Sequence, residues 1–283
     1  MMYGNIFQNT FHHTMWKINK WWSYLKRYFY KQKRIRWPIH KTFVINLKRR
    51  KDRYRALKRE AKHLKLINGT LWDKIEVVEG IDGRKLKQKK NKDYIPTYRF
   101  DYHFQVDPHP VWLHRLNNGT YKRGEISHAS DPEVGVAHSH IKIWKNIVKK
   151  NIQSSLILED DFYFEPYFQE RFMDVMREAP DNWDIIYLSK LPSRYGFTWD
   201  PHSDQLIRVY NGVWWLSGYL LSLNGAKKLM KGFPVRGAVD CWINYQLRKM
   251  NAYSTKWNLI EQRWFDKSNN IYSFEKKYVV KSF

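Results

Sequence analysis

Apolar and polar positions change rhythm repeatedly along the chain. Thr42-Phe43-Val44-Ile45-Asn46-Leu47 is a run of strand length, and Tyr54, Leu57, Ala61 and Leu64 after it fall on one face of a helix. Lys74-Ile75-Glu76-Val77-Val78 reads as a second strand, closed by the turn Ile81-Asp82-Gly83. Residues 91–131 hold no sustained period and read as an irregular insert. Ala137, Ile141, Trp144 and Val148 then form a helical stripe. The strand Leu156-Ile157-Leu158, a helix over 162–177 and the strand Asp184-Ile185-Ile186-Tyr187-Leu188 follow. This alternation predicts an α/β sheet with helices on both faces, a class whose ligands bind at the carboxyl ends of the strands.

Ahead of the strands, Ile18, Trp21, Trp22, Leu25 and Phe29 recur at helical spacing, with Lys17, Lys20, Lys26, Arg27 and Lys31 between them. A basic amphipathic helix is expected near 15–33, with Pro38 ending the leader. The organisation expected is therefore a basic aromatic extension over 1–40 and one domain over 41–283. The leader helix has two readings. It docks on the body or on a second copy, making a homo-oligomer, or it lies on an anionic membrane surface.

Composition narrows the classes. A chain of 283 residues with 43% hydrophobic residues and 14 Trp carries too much apolar surface for wholesale disorder. No window approaches about 18 uncharged apolar residues, and no apolar run precedes a small-residue cleavage site, so neither a membrane span nor a secretory signal is expected. The location expected is cytoplasmic. The density of Lys, Asn, Ile and Tyr suits an A+T-rich genome such as that of a large virus or an intracellular organism, with host cytoplasm or virion the location if viral. Cys241 is the single cysteine and has no disulfide partner within the chain. The triplets Asn68-Gly69-Thr70 and Asn118-Gly119-Thr120 read as chance turns. The net charge of +24 favours phosphates, polyanions or an anionic membrane, and no specific nucleic acid is expected. Residues 1–40 hold eight Lys and Arg and no acid, while the run from Arg84 to Lys92 reads as a solvated loop.

The strand-end rule directs attention to Glu159-Asp160-Asp161. Three adjacent carboxylates repel one another unless solvent or a cation compensates, and a divalent ion is a natural partner. The bland alternative is an acidic cluster at the start of the following helix. Trp214, Trp215 and Tyr219 either stack on sugar rings or belong to the core. His128, His138 and His140 do not read as a metal set, because His138 and His140 fall on different faces of one helix.

Phe43-Val44-Ile45-Asn46-Leu47-Lys48-Arg49-Arg50-Lys51-Asp52-Arg53, Ile81-Asp82-Gly83, the segment from Pro132 to His140, Trp144, Leu158-Glu159-Asp160-Asp161, Gly218-Tyr219-Leu220-Leu221-Ser222 with Gly225-Ala226, and Pro234 through Asp240 come in a fixed order. This series resembles the family-25 glycosyltransferases, the group containing lipooligosaccharide and collagen galactosyltransferases. It spans most of residues 42–245. The chain departs from the family pattern at Val136, where a cysteine is frequent, and at Arg236-Gly237-Ala238, which intrude before Asp240.

The resemblance implies a GT-A-type nucleotide-binding sandwich with a mostly parallel central sheet. It also implies transfer of a hexose, galactose by analogy, from a UDP-sugar to a hydroxyl of a glycan or protein acceptor, with inversion. Mn²⁺ or Mg²⁺ would bridge the diphosphate to Asp161. Glu159 and Asp160 would take ribose hydroxyls or metal-bound water. Asn46 and Leu47, with Asp82 nearby, would face the uracil, and Ser139 and His140 form a nucleotide-proximal or structural pair. Arg50 and Arg53 would reach phosphate, or else form a solvated helical turn. Asp240 is the candidate base, with a helix cap as its alternative and Glu165 or Asp184 as replacements. Gln262, Asp266 or water would supply a late metal ligand. An inactive relative, or one that only binds a polyanion or membrane surface, is the competing class, and the intact triplet weighs against inactivity.

Overall fold

Successive strand residues point to opposite faces of a sheet, and in this chain both faces are apolar. Phe43, Ile157, Ile185 and Tyr219 belong to one buried cluster, whereas Val44, Leu156, Leu158, Ile186 and Leu220 belong to another. A sheet buried on both sides follows, which is why its strands read as continuous apolar runs. The computed structural model describes residues 33–99, 124–193 and 196–263, together with Trp22, Leu25, Lys26, Phe29, Tyr30 and Gly119.

The strands that concern the site are β1 (Lys41–Asn46), β2 (Ile75–Glu79), β3 (Ser154–Glu159), β4 (Phe162–Phe164), β5 (Ile185–Tyr187), β6 (Thr198–Pro201), β7 (Leu206–Asn211), β8 (Gly218–Ser222), β9 (Ala252–Thr255) and β10 (Ile260–Gln262). The helices are α1 (Lys51–His63), α2 (Asp131–Lys149), α3 (Phe168–Glu178), α4 (Leu223–Lys231) and α5 (Val239–Leu247). The central eight-stranded sheet has the order β6-β7-β9-β5-β8-β3-β1-β2. Its pairings leave β7 and β8 reversed and the other six strands running one way. The class is α/β, a mostly parallel sheet sandwiched between helices. Helix α2, with α4 and α5, covers the Phe43 side, and α1 and α3 cover the Val44 side.

The expected strands at 42–47, 74–78, 156–158 and 184–188 lie within a residue or two of β1, β2, β3 and β5. One helix does not begin where expected. Residues 162–164 form β4, which pairs antiparallel with β10 (Phe162↔Gln262, Phe164↔Ile260), and the helix starts only at Phe168, after Tyr167 in the left-handed conformation. Phe162 and Phe164 suit a strand, and the partner that makes it one lies about a hundred residues away. The described ends of the insert form short strands. Tyr94–Ile95 pair with Val235–Arg236, and Thr97–Arg99 with Ile126–His128. Residues 100–118 lie outside the described residues. Arg236-Gly237-Ala238 is where this tether lands. Gly237 has φ +66°, its N–H donates to Ile95 O, and a Cβ there would meet the Tyr98 ring at 2.7 Å.

Most of the leader lies outside the described residues, but its end does not. Ile35 and Ile39 are buried in the Val44-side core and Trp37 stacks on Phe172, with ring centroids 4.9 Å apart.

Candidate active site

Because β1, β2 and β3 are parallel neighbours, their carboxyl ends open side by side: Asn46 pairs with Glu79, and Ile45 with Glu159. The three loops that leave these ends line one cleft that opens to solvent. Leu47, Arg49, Arg50 and Arg53 come from the first loop and α1. Gly80 through Arg84 come from the second, and Glu159, Asp160 and Asp161 from the third. Gly135, Val136, Ser139 and His140 on α2 form the remaining wall.

The second loop is pressed onto α2. Ser139 Oγ accepts the Ile81 N–H at 2.8 Å and donates to Gly135 O at 2.7 Å. A Cβ on Gly135 would stand 2.4 Å from Ile81 O, and one on Gly83 would stand 1.8 Å from Asp131 O. Ser139 therefore sets the turn and has its hydroxyl occupied in doing so. Helix α2 starts with a capping box, the Ser130 hydroxyl accepting the Glu133 N–H and Glu133 Oε2 accepting the Ser130 N–H.

Arg53 Nη1 donates to Asp160 Oδ1 at 2.7 Å and to Asp161 Oδ2 at 3.2 Å. Asn46 Nδ2 donates to Asp160 Oδ2 at 2.7 Å. Arg263 closes the other side, its guanidinium donating to Asp160 O at 2.6 Å and its N–H to Asp161 O at 2.6 Å. Asn46 thus orients a carboxylate and is not among the residues that line the cleft. Arg53 likewise grips the carboxylates. Arg50 lines the cleft while paired with Asp52, Nη2 to Oδ2 at 2.6 Å. Asp82 accepts from Arg49 Nε at 2.9 Å and Arg84 Nη2 at 2.7 Å, and these hydrogen bonds, Arg84 first, hold its carboxyl well below the usual range. Burial raises the Asp160 carboxyl against the pull of Arg53. Burial and then Glu159 push the Asp161 carboxyl up to about 7.

A second cavity, of about 450 Å³, adjoins the first and shares Val136 and Glu159 with it. Its other lining includes Glu133, Trp215, Asp240 and Gln262. Asp240 is not the cap of α5: Ala238 holds that position, and in the first turn Asp240 Oδ1 accepts the Cys241 N–H at 2.8 Å while its carbonyl accepts Asn244 Nδ2 at 2.9 Å. Burial, opposed by that bond and reinforced by Glu133 and Glu159, raises its carboxyl to about 6.

The aromatic run divides. Tyr219 is fully buried, accepting from Trp144 Nε1 at 3.0 Å and bonded to His140 Nδ1 at 2.8 Å, so it is core and not a sugar platform. Trp215, at φ +76°, lines the second cavity. The histidines are separate: His138 Nε2 bonds Lys89 O and His128 lies on the strand Ile126–His128. Asp184 sits fully buried at the start of β5, bonded to Asn224, Lys228 and the Asn251 N–H, and Glu165 lines neither cavity, so neither replaces Asp240. Asp266 lies outside the described residues. Among the described residues no group of three or more His, Cys, Asp or Glu is arranged to hold a metal, and no helix is long and apolar enough to cross a membrane.

Sequence reasoning missed Arg49, Arg84, Glu133 and Arg263. Arg49 and Glu133 stand inside the quoted segments and Arg84 just after Gly83, so position alone could have nominated them. Nothing local marks Arg263, which reaches the triplet through the pairing of β10 with β4.

Residues 39–243, which contain all these loops except the β10 end, match the family model described as Glycosyltransferase family 25 (LPS biosynthesis protein). The chain belongs to glycosyltransferase family 25. A "Glycosyltransferase 25 family member" of Aedes aegypti is 30% identical over 222 residues, 76% of this chain and 32% of that protein. "Procollagen galactosyltransferase 1-A" of Xenopus laevis is 29% identical over 201 residues, 68% of this chain and 28% of that one. "Procollagen galactosyltransferase 2" of Homo sapiens is 29% identical over 204 residues, 68% and 27% respectively. This family-25 chain spans less than a third of the length of the curated relatives it matches.

Proposed function

We propose that the protein transfers a hexose, galactose in the first instance, from a UDP-sugar to an acceptor hydroxyl with inversion. The observation that carries this reading is the pair of adjoining cavities, one rimmed by arginines and the other carrying Asp240, with Glu159 at their junction. In this reading the nucleotide occupies the first cavity, with Leu47 against the base and Arg49, Arg50 and Arg84 near the diphosphate. The acceptor enters the second. Its hydroxyl oxygen bonds to the anomeric carbon as the bond to UDP breaks, and its proton passes to the Asp240 carboxylate. Asp240 is ionised above pH about 6, which suits a base at neutral pH. Negative charge left on the UDP oxygen is met by the arginines.

The residues also fit a divalent cation. Asp161 Oδ1 is buried without a hydrogen-bond partner among the described residues, and Glu159 adds a second carboxylate to an all-oxygen donor set of the kind Mn²⁺ and Mg²⁺ prefer. Asp161 would hold the ion, which when bound acts as a Lewis acid on the leaving diphosphate. The deciding experiment is hydrolysis of a panel of UDP-sugars with and without Mn²⁺, which needs no acceptor. Absence of hydrolysis and of UDP binding throughout the panel would refute the reading.

A further inference from the structure

Trp22, Leu25, Lys26 and Phe29 are helical and stand at i, i+3, i+4 and i+7, one face of one helix. Beside that face Tyr30 fastens the helix to the body. Its hydroxyl donates to Glu170 Oε1 at 2.6 Å, and its ring lies 4.1 Å from that of Tyr167. The face itself stays open, with Trp22 58% and Phe29 86% exposed. On the body the surface continues through half-exposed Tyr167 to Arg171, one turn along α3, whose guanidinium sits 5.4 Å from the ring of exposed Trp257. Of the eight large apolar residues exposed among the described residues, four lie on this one surface: Trp22, Phe29, Tyr167 and Trp257.

Clustered aromatic side chains facing water mark an interaction site. The charge around them selects the partner. The extension over 1–40 carries eight Lys and Arg and no acid, so the partner is anionic. Bulky aromatic and aliphatic side chains on one helix face with a lysine, Lys26, among them are the pattern of helices that lie in the headgroup layer of a bilayer. Two acids stand at the junction, Glu170, which is bonded to Tyr30, and Glu165, which lines a small cavity with Tyr30 and Tyr167.

We propose that this surface seats the protein on an anionic lipid bilayer, with Trp22, Phe29, Tyr167 and Trp257 in the headgroup layer and Lys26 and Arg171 against lipid phosphates. The inference is independent of the reading of the active site. It is tested by co-sedimentation of the full chain with phosphatidylcholine vesicles, with and without phosphatidylserine, at low and raised salt. Binding only to the anionic vesicles, weakened by salt, is expected. The double variant W22S/F29S should bind on the order of tenfold or more weakly, and K26E more weakly than wild type, with unchanged melting temperature because these side chains are exposed. I126S, an exposed apolar residue elsewhere, should bind as wild type. Equal binding to both vesicle types, no binding at all, or undiminished binding by W22S/F29S would overturn the proposal. So would an oligouridylate that displaces the protein from vesicles and whose own binding is lost in W22S/F29S, since that would assign the surface to single-stranded nucleic acid.

Discussion

Asp161 keeps one carboxylate oxygen buried without a partner among the described residues, and burial beside Glu159 raises its pKa to about 7. The folded form holds the proton more tightly than the unfolded chain does, so protonation stabilises the fold fully below about pH 4, and that contribution is lost as pH rises to about 7. Asp161→Asn, neutral at every pH, should therefore melt higher than wild type at pH 8, by ~2 °C or more, and gain less at pH 5. Asp161→Ala should lose Mn²⁺-dependent UDP binding, read by calorimetry. Unchanged UDP–Mn²⁺ affinity in that variant would remove Asp161 from the metal. Asp240 makes the companion case. Turnover should fall as pH drops through about 6, and Asp240→Asn should keep UDP-sugar binding while losing turnover by ~10²–10⁴-fold. A stable Asn variant with near-normal turnover would move the base elsewhere, Glu133 being the next carboxylate in the same cavity.

At the scale of elements, the site depends on how closely a turn can approach a helix. Gly83 and Gly135 let the loop after β2 lie against α2, where an added methyl group would overlap backbone oxygens. Overpacking of this sort costs about 1–3 kcal/mol, and here the shift would carry Asp82 and Arg84 out of place. Gly135→Ala should lower the melting temperature and weaken UDP binding together. Wild-type UDP affinity in a folded Gly135→Ala variant would mean that the turn does not position the nucleotide. The same closeness explains Ser139, whose hydroxyl links the two elements.

Across the whole molecule, the extension and the body meet inside the stretch that composition alone assigns to the leader. Ile35, Trp37 and Ile39 pack in the Val44-side core, while Trp22 and Phe29 are exposed. Removing residues 1–32 should leave the melting temperature and donor hydrolysis close to wild type. Removing 1–40 should cost about 4 kcal/mol or more, because it empties the sites of large buried side chains. Equal melting temperatures for the two truncations would show that residues 33–40 are dispensable to the core.

Local pattern carried much of this protein. The apolar runs at β1, β3 and β5, the helical stripe of α2 and the acidic triplet at the end of β3 are each set by residues a few positions apart, so periodicity and the strand-end rule place them. The order of short segments sufficed to mark family 25. What the tertiary structure decided involves partners far apart in the chain. Asn46 turns to Asp160, 114 positions on, once β1 and β3 are parallel neighbours. Phe162 to Phe164 become strand and not helix because β10 pairs with them, and the same pairing brings Arg263 to the triplet. The second cavity exists only where the start of α2, the end of β3 and the start of α5 converge, and that convergence also gives Asp240 its raised pKa and Glu133 its place beside it. Strand register and the closeness of glycine backbones set these contacts, and neither leaves a periodic trace in the residues concerned.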